Sequence, residues 1–307
     1  MTLAVLLSGQ GGQHPRMFDL TADWPDAAPI FAAAERVLGH DPREFVRSPG
    51  ADLHGNRTGQ ILCCVAALAG WTIVEAARPA RVIVAGYSIG DLAAWGCAAR
   101  FDAEVILRLA AIRAEAMDAA SGEGFALAGI RGLRLAEIET IAGRHGCHLA
   151  IRNAADSAVV GGPRSALEEV CSAARAAGAQ RAVVLSVRTP SHTPLLRDAS
   201  RRFEEALAAE HPRRPPAGAP RLISGLDGAA VFEVQAGLSK LARQISETID
   251  WAACLVACRE YGCETVLELG PGHALATMAR EAIPGARVHA LEEFRSASGA
   301  AEWIKGR

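Results

Sequence analysis

RVIVAGYSIGDLAAW, residues 81–95, combines a short apolar run, a serine between two glycines and an alanine-rich amphipathic segment. This order predicts a β-strand, a sharp turn and an α-helix. The flanking glycines let the backbone turn tightly, so that Ser88 can occupy a strained turn with its hydroxyl pointing out of the sheet. The N–H group of Ile89 then lies nearest to an oxyanion that develops beside the serine. The stretch predicts a nucleophile, although G-x-S-x-G alone also fits an ordinary strand-to-helix turn.

The composition is that of an α/β protein with a sizeable core. Of the 307 residues, 50% are hydrophobic and 5% are aromatic, as expected for alanine- and leucine-rich helices packed on a parallel sheet. This length accommodates one large domain, or one domain that carries an inserted smaller one. The formal net charge of −2 gives no long-range field that would attract nucleic acid or an anionic membrane.

The eight cysteines lie mainly in apolar helical segments, and no two of them have the C-x-x-C spacing. We therefore predict reduced, buried thiols and no metal site. The apolar stretch at the N-terminus is too short and too poor in basic residues for a signal peptide. No later apolar run is expected to span a membrane, so we expect a soluble, cytoplasmic protein.

A second loop of interest follows the first predicted strand, LAVLL at residues 3–7. It reads GQGGQ at residues 9–13, and its glycines are wrongly spaced for the dinucleotide-binding pattern. Such a loop exposes backbone N–H groups, which suits Gln10 as the second half of an oxyanion hole. An ordinary turn fits the same residues.

Helical patterns cover residues 25–38, 58–77 and 102–120, and the last of these carries Arg113 close to an apolar stripe. An arginine at that position is usually a snorkelling surface cation.

Residues 124–188 form a separate unit by pattern. Apolar alternation and helical periodicity give the order β-α-β-β-α-β, which is the ferredoxin-like arrangement. We therefore predict a ferredoxin-like insertion at residues 124–192 and a catalytic core made of residues 1–123 and 193–307.

Two further residues are candidates for the chemistry. His192 lies between Pro190 and Pro194, so a stiff loop holds it and it is a candidate general base. Asp250 lies between a helical pattern at residues 234–249 and another at 251–261. Its carboxylate or its backbone carbonyl could hold the imidazole of His192, and capping of the second helix is the alternative.

Six motifs together resemble a known family. They are GQGGQ, GYSIGD, RAEAM, RNAADSAVVGG, PSHTPLL and LELGPGHAL, and they have the order and spacing of malonyl-CoA:acyl-carrier-protein transacylases from about residue 3 to residue 290. The resemblance implies an α/β-hydrolase-like core with a parallel sheet and a ferredoxin-like insertion, in agreement with the pattern above.

The resemblance also implies roles for individual residues. Ser88 would be the nucleophile and His192 its general base, with the N–H groups of Gln10 and Ile89 as the oxyanion hole. Arg113 would pair with the free carboxylate of a malonyl group, because a guanidinium fork matches a carboxylate. The remaining implied positions are Asp250, whose carbonyl would orient the histidine, and Asn153 and Gln60 near the pocket.

The implied reaction is a two-step acyl transfer without a bound cofactor. Malonyl-CoA would acylate the serine, and the thiol arm of an acyl carrier protein would then accept the malonyl group. The chain departs from the family at Tyr87, Asp91 and Asp250, where the family usually has His, Glu and Gln.

A tyrosine before the serine resembles the epsilon subunit of malonate decarboxylase, so we predict that branch, with the decarboxylase's own carrier subunit as partner. The alternatives are a transacylase of fatty-acid or polyketide synthesis and a serine esterase or thioesterase.

Overall fold

The structure is a computed structural model that describes residues 1–306. In this range the chain forms ten strands: β1 (Thr2–Leu7), β2 (Arg81–Gly86), β3 (Phe125–Arg131), β4 (His148–Ala154), β5 (Ser157–Pro163), β6 (Arg181–Val184), β7 (Arg221–Ile223), β8 (Ile249–Asp250), β9 (Thr265–Leu269) and β10 (Arg287–Ala290).

The α-helices of the same range are α1 (Ala28–Leu38), α2 (Pro42–Phe45), α3 (Asn56–Glu75), α4 (Ile89–Cys97), α5 (Ala103–Ser121), α6 (Leu135–Arg144), α7 (Arg164–Ala176), α8 (Arg197–Ala208), α9 (Val234–Arg243), α10 (Trp251–Glu260), α11 (Ala274–Ala282) and α12 (Ala297–Ile304).

The first sheet is parallel and has the strand order β10-β9-β1-β2-β7. Every residue of β1 is buried, because helices cover both faces of a parallel sheet and its strands are therefore apolar throughout. The strands predicted at 3–7 and in the apolar run before Gly86 are confirmed as β1 and β2, and with β9 they are the three central strands. Their carboxyl ends lie at one edge of the sheet, where loops of an α/β fold bind ligands.

The second sheet has the order β6-β3-β5-β4-β8. Its first four strands pair antiparallel and, with α6 and α7, follow the predicted β-α-β-β-α-β order. Strand β8 comes from a later part of the chain and pairs parallel with β4. The helix predicted for 234–249 is therefore too long: α9 ends at Arg243, and Thr248 instead donates its hydroxyl to the carbonyl of Leu149 at 2.7 Å.

Helix α3 is the central helix of the largest core. It is long and apolar enough to cross a membrane, contrary to the expectation that no apolar run would be, but 83% of its most apolar part is buried inside the protein. It packs against α4, α5 and α1, and apolar side chains on all its faces meet protein neighbours. All eight cysteines are buried and have free thiols.

A second core lies between the two sheets. It joins residues of β1 and β2, such as Leu6 and Ile83, to Leu127 and Val159 of the second sheet. A third core lies between the second sheet and its own helices α6 and α7. The boundaries 1–123, 124–192 and 193–307 stay a prediction, since β8 and the second core tie the two parts together.

Candidate active site

Ser88 stands on a strained turn between β2 and α4. Its φ of 56° and ψ of −118° lie in a region that non-glycine residues rarely adopt. The flanking glycines are required by close approach. A Cβ added at Gly86 would lie 2.0 Å from the carbonyl carbon of Gly90, and one at Gly90 would lie 2.1 Å from the carbonyl oxygen of Leu7. The sharp turn thus presents the serine hydroxyl at the carboxyl end of β2.

His192 meets this serine directly. The distance from Ser88 Oγ to His192 Nε2 is 2.8 Å, and the imidazole is buried. The ring's other nitrogen, Nδ1, is hydrogen-bonded to the backbone carbonyl of Gln244. Because a carbonyl only accepts, Nδ1 carries the proton and Nε2 is free to accept the serine hydroxyl proton. The backbone N–H of His192 also donates to the carbonyl of Ile245 at 2.8 Å, which fixes the loop.

The surroundings of His192 keep the imidazole neutral. Its pKa is lowered from 6.5 to about 3, mainly by burial and also by the positive charge of Arg113, whereas the hydrogen bond to the Gln244 carbonyl raises it. A neutral imidazole beside a serine hydroxyl is the form that acts as a general base.

We expect this lowered pKa to shift the acid limb of the pH–rate profile to lower pH. For a histidine with the ordinary pKa, the fraction of neutral imidazole would fall about 20-fold from pH 7 to pH 5. Since the pKa of His192 lies below this range, the rate constant for serine acylation should change by less than about threefold over the same interval. Stopped-flow measurement with an activated acyl ester tests this. A drop of tenfold or more, centred near pH 6.5, would contradict it.

The prediction that Asp250 orients His192 is wrong. The Asp250 carboxylate accepts the backbone N–H of Ala253 at 2.9 Å and caps α10, as the alternative interpretation expected. Its other oxygen lies 3.7 Å from Arg152 Nη1. Asp250 belongs to β8, so its backbone pairs with the second sheet instead of turning toward the imidazole.

Gln244 is the functional residue that the sequence interpretation missed. It directly follows α9, where the last carbonyl groups have no partner within the helix, and its own carbonyl therefore accepts from His192. Gln244 lies six residues before Asp250, in the same stretch QISETIDW. A helix end before Gln244 would have been the signal, but the apolar pattern continues to Ile249.

Replacing Asp250 by alanine should therefore affect stability and not catalysis. Loss of a helix N-cap costs about 0.5–2 kcal/mol of the free energy of unfolding. We expect that loss in urea denaturation, with kcat/KM within about twofold of the unmodified protein, because the carboxylate contacts Ala253 and Arg152 and not the reacting side chains. A fall of kcat/KM by more than tenfold at full folding would restore Asp250 to the site.

The predicted oxyanion donors lie at adjacent loops. Within residues 1–306, the N–H groups of Gln10 and Ile89 have no hydrogen-bond partner. The glycine-rich loop lies against the serine turn, since a Cβ added at Gly9 would be 2.9 Å from the carbonyl oxygen of Tyr87 and 3.6 Å from Ser88 Cβ. Ser8 anchors the start of this loop by donating to the buried carboxylate of Glu268 at 2.6 Å. The arrangement suits stabilisation of a negative oxygen beside Ser88.

Arg113 lies buried beside the serine, so its interpretation as a snorkelling surface cation is wrong. Only 1% of the residue is exposed. Its Nη1 donates to Gln60 Oε1 at 2.6 Å, its Nη2 lies 3.4 Å from Ser88 Oγ, and its Nε has no partner. No carboxylate of residues 1–306 forms an ion pair with it. Burial lowers its pKa to about 10, which leaves the guanidinium positive at neutral pH.

Gln60 is held so that its oxygen faces Arg113. Its Nε2 donates to Asn56 Oδ1 at 2.8 Å, and Asn56 in turn donates to Asp118 Oδ1 at 2.8 Å. This chain of hydrogen bonds runs from the protein surface to the guanidinium. It uses Nη1 and leaves the Nε and Nη2 side of the fork for another group.

Asn153 is linked to the serine turn through Tyr87. It accepts a hydrogen bond from the Tyr87 hydroxyl at 3.1 Å, and Tyr87 also packs edge-on against Trp251 with ring centroids 5.4 Å apart. The structure thus brings together Ser88, His192, Arg113 and Gln60, with Asn153 one contact away.

A cleft of about 650 Å³ opens beside the glycine-rich loop. Gln10, Asn56 and Asp118 line it together with Arg188 and Thr189, so it begins where the hydrogen-bond chain to Arg113 reaches the surface. A slightly larger cleft of about 680 Å³, lined by His14 and Glu292, includes none of the predicted site residues. The first cleft is the better entrance for an extended substrate.

A serine on such a turn, an imidazole held by a backbone carbonyl and unpaired N–H groups are the parts of serine enzymes that transfer acyl groups. No family model matches the chain. It is 29% identical to malonyl CoA-acyl carrier protein transacylase of Escherichia coli K12 over 307 residues, which covers 97% of this chain and 98% of that protein. Both the geometry of the site and this similarity indicate a serine enzyme that transfers acyl groups.

Solved structures agree. The acyl-carrier-protein S-malonyltransferase of Burkholderia pseudomallei has a TM-score of 0.90 at 26% identity, over 98% of this chain and 100% of that one. A malonyl-transacylase in complex with a type II polyketide acyl-carrier protein has a TM-score of 0.91 at 26% identity, over 98% and 99%. The chain is thus similar over its full length to malonyl-CoA:acyl-carrier-protein transacylases.

Proposed function

We propose that this chain moves a malonyl group from malonyl-CoA, through an ester on Ser88, to the thiol arm of an acyl carrier protein. The observation that carries the proposal is Arg113. Its buried guanidinium has no carboxylate partner, its Nε has no hydrogen-bond partner and its Nη2 lies 3.4 Å from Ser88 Oγ. Such a group is costly unless its ligand supplies the negative charge.

The first half-reaction follows from the Ser88–His192 pair. His192 Nε2 takes the hydroxyl proton while Ser88 Oγ bonds to the thioester carbonyl carbon. The N–H groups of Gln10 and Ile89 stabilise the negative oxygen of the tetrahedral intermediate. The carbon–sulfur bond then breaks, the proton passes from His192 to sulfur, and coenzyme A leaves as the thiol.

The second half-reaction uses the same groups in reverse. His192 takes the proton of the carrier thiol as its sulfur attacks the ester carbonyl. The bond to Ser88 Oγ breaks, and the proton returns from His192 to that oxygen. The carrier leaves with the malonyl thioester, and the enzyme regains its starting form.

Arg113 selects the acyl group. The Nε and Nη2 side of its fork faces the serine, so a carboxylate at the far end of a malonyl group pairs with two parallel N–H donors. An acetyl group in the same place leaves the guanidinium buried and unpaired, which disfavours its transfer.

The full-length relatives favour a carrier protein of fatty-acid or polyketide synthesis as the acceptor. The E. coli protein is named as an acyl carrier protein transacylase, and one solved relative is in complex with a polyketide carrier. We place this branch first. The cytoplasmic setting stays a prediction.

The epsilon subunit of malonate decarboxylase is a second candidate, and Tyr87 is the observation that favours it. The family usually has histidine there, whereas this tyrosine bonds to Asn153. A carrier with a phosphopantetheine arm and one with a dephospho-coenzyme-A-like arm distinguish the two branches, since the preferred acceptor should have the higher kcat/KM.

The transfer itself is tested by incubating the protein with malonyl-CoA and a holo acyl carrier protein and following malonyl carrier on a conformation-sensitive gel. We expect malonyl carrier to form, and the carrier without its thiol arm to remain unmodified. Release of free malonate at the same rate with and without carrier would support the esterase alternative instead.

A further inference from the structure

Asp91 connects the serine turn to the residue that orients His192. It lies in the first turn of α4 and is 2% exposed. Its Oδ2 accepts two hydrogen bonds at 3.0 Å, one from the backbone N–H of Gly225 and one from Gln244 Nε2. A Cβ added at Gly225 would lie 2.5 Å from the Gly86 carbonyl oxygen, so the carboxyl group is sealed from solvent.

The side chains of Asp91 and Gln244 each have one oxygen atom without a hydrogen bond. Asp91 Oδ1 and Gln244 Oε1 are both buried and have no hydrogen-bond partner among the described residues. An ionised carboxylate and an amide oxygen both accept only, so neither can satisfy the other. A carboxylic acid and an amide, by contrast, pair through two hydrogen bonds, N–H to one oxygen and O–H to the other. The contact from Gln244 Nε2 to Asp91 Oδ2 is already one half of such a pair.

We propose that Asp91 is a positioning residue held as the neutral acid, whose proton bridges Asp91 Oδ1 to Gln244 Oε1 and fixes the carbonyl that orients His192. The side chain and the carbonyl belong to the same residue, Gln244. Locking its amide therefore restrains the backbone group that holds the imidazole. The kinetic consequence rests on the proposed function, whereas the protonation state does not.

The charges around Asp91 agree with a proton that is present near neutral pH and lost above it. The pKa of Asp91 is raised to about 7, chiefly by burial. The Gly225 N–H, the positive Arg113 and the Gln244 amide oppose this rise, and Asp227 adds to it. The Cys254 thiol faces the same carboxyl and stays neutral, because burial raises its own pKa well above the usual value.

Ionisation of Asp91 removes the bridging proton and leaves two accepting oxygens together. We expect the Gln244 amide to rotate away, so that His192 loses its fixed orientation while Arg113 still binds the substrate carboxylate. On the proposed function, kcat should therefore fall with rising pH above neutrality, and KM for malonyl-CoA should change little.

Asp91→Asn is the variant that separates a proton from a charge. An asparagine amide donates to Gln244 Oε1 and accepts from Gln244 Nε2 and Gly225, so it imitates the neutral acid at every pH. Asp91→Leu keeps the branch at Cγ but makes none of these bonds.

The test compares pH profiles and infrared spectra. Between pH 6.5 and pH 9 we expect kcat of the unmodified protein to fall about tenfold, and that of Asp91→Asn to vary by less than about twofold over the same range. Asp91→Leu should have a low kcat throughout. In infrared titration, a carboxylic-acid carbonyl band should be present at pH 6, disappear on alkalisation and be absent from Asp91→Asn.

Absence of that band at pH 6, or an alkaline fall in Asp91→Asn equal to that of the unmodified protein, would overturn the proposal. The infrared measurement needs no substrate, and comparison with Asp91→Asn assigns the band to Asp91 and not to Glu268, another buried acid whose pKa burial raises. If malonyl transfer itself fails, the band still decides this inference separately.

Discussion

Replacing Ser88 by alanine is expected to lower malonyl transfer by at least about 10⁴-fold, because removal of a serine nucleophile leaves only the oxyanion donors and substrate binding. The loss should appear in kcat with little change in the binding of malonyl-CoA, since Arg113 and Gln60 remain in place. Single-turnover kinetics with malonyl-CoA and isothermal titration of the substrate measure the two effects separately.

Ser191→Ala is the matched control for this variant. Ser191 is buried beside His192 in the chain, and its hydroxyl contacts only the Thr189 carbonyl, at 3.5 Å, within residues 1–306. The same loss of one oxygen should leave the rate within about threefold there. A similar rate for Ser88→Ala and Ser191→Ala would contradict the assignment of the nucleophile.

Replacing Arg113 by alanine has the second-largest expected effect. Truncation of one partner in a buried, hydrogen-bonded charge pair costs about 2–5 kcal/mol, so kcat/KM for malonyl-CoA should fall by about 30-fold or more. Acetyl-CoA has no carboxylate to lose, and its kcat/KM should rise or stay constant. The ratio of the two kcat/KM values therefore measures the carboxylate contact.

Two further variants separate fork geometry from charge and from helix packing. Arg113→Lys keeps a positive charge without the planar fork and should recover only part of the malonyl preference. Arg108→Ala removes a half-exposed arginine of the same helix, whose partner is Glu210 at 2.9 Å, and should leave the preference unchanged. An unchanged preference in Arg113→Ala would rule out its role in selecting malonyl.

Much of the fold could be predicted from the sequence because each signal was local. A continuous apolar run followed by glycines marks β1 and β2, and the serine turn needs glycines within two residues on either side. The β-α-β-β-α-β order of the second sheet follows from the same alternation of periods. Strand β8 has two residues, which is too short to give a periodic signal.

Gln244, the residue that orients His192, could not be predicted from the sequence because its side chain does not contact the imidazole. His192 is held by a backbone carbonyl, and a carbonyl leaves no mark on residue type. What exposes the Gln244 carbonyl is the end of α9, and helix ends are set by tertiary contacts as much as by local sequence. An acid such as Asp250 is more visible in a sequence, although its contacts are those of a helix cap.

The burial of Arg113 could not be predicted from the sequence pattern either. An arginine near an apolar stripe can extend to solvent or lie under the sheet loops, and periodicity alone does not distinguish the two. The buried position is stabilised by Gln60, which accepts a hydrogen bond from Nη1. Gln60 lies on the neighbouring helix α3, 53 residues earlier in the chain. The family resemblance supplied that link where the pattern did not.

Intact-mass spectrometry of the protein after brief exposure to malonyl-CoA tests the central claim most directly. We predict an added mass of one malonyl group, mapped to the peptide that contains Ser88, absent from Ser88→Ala and removed by a holo acyl carrier protein. Acetyl-CoA should give much less adduct. No adduct, or an adduct that water clears as fast as the carrier does, would contradict a malonyl transferase that works through Ser88.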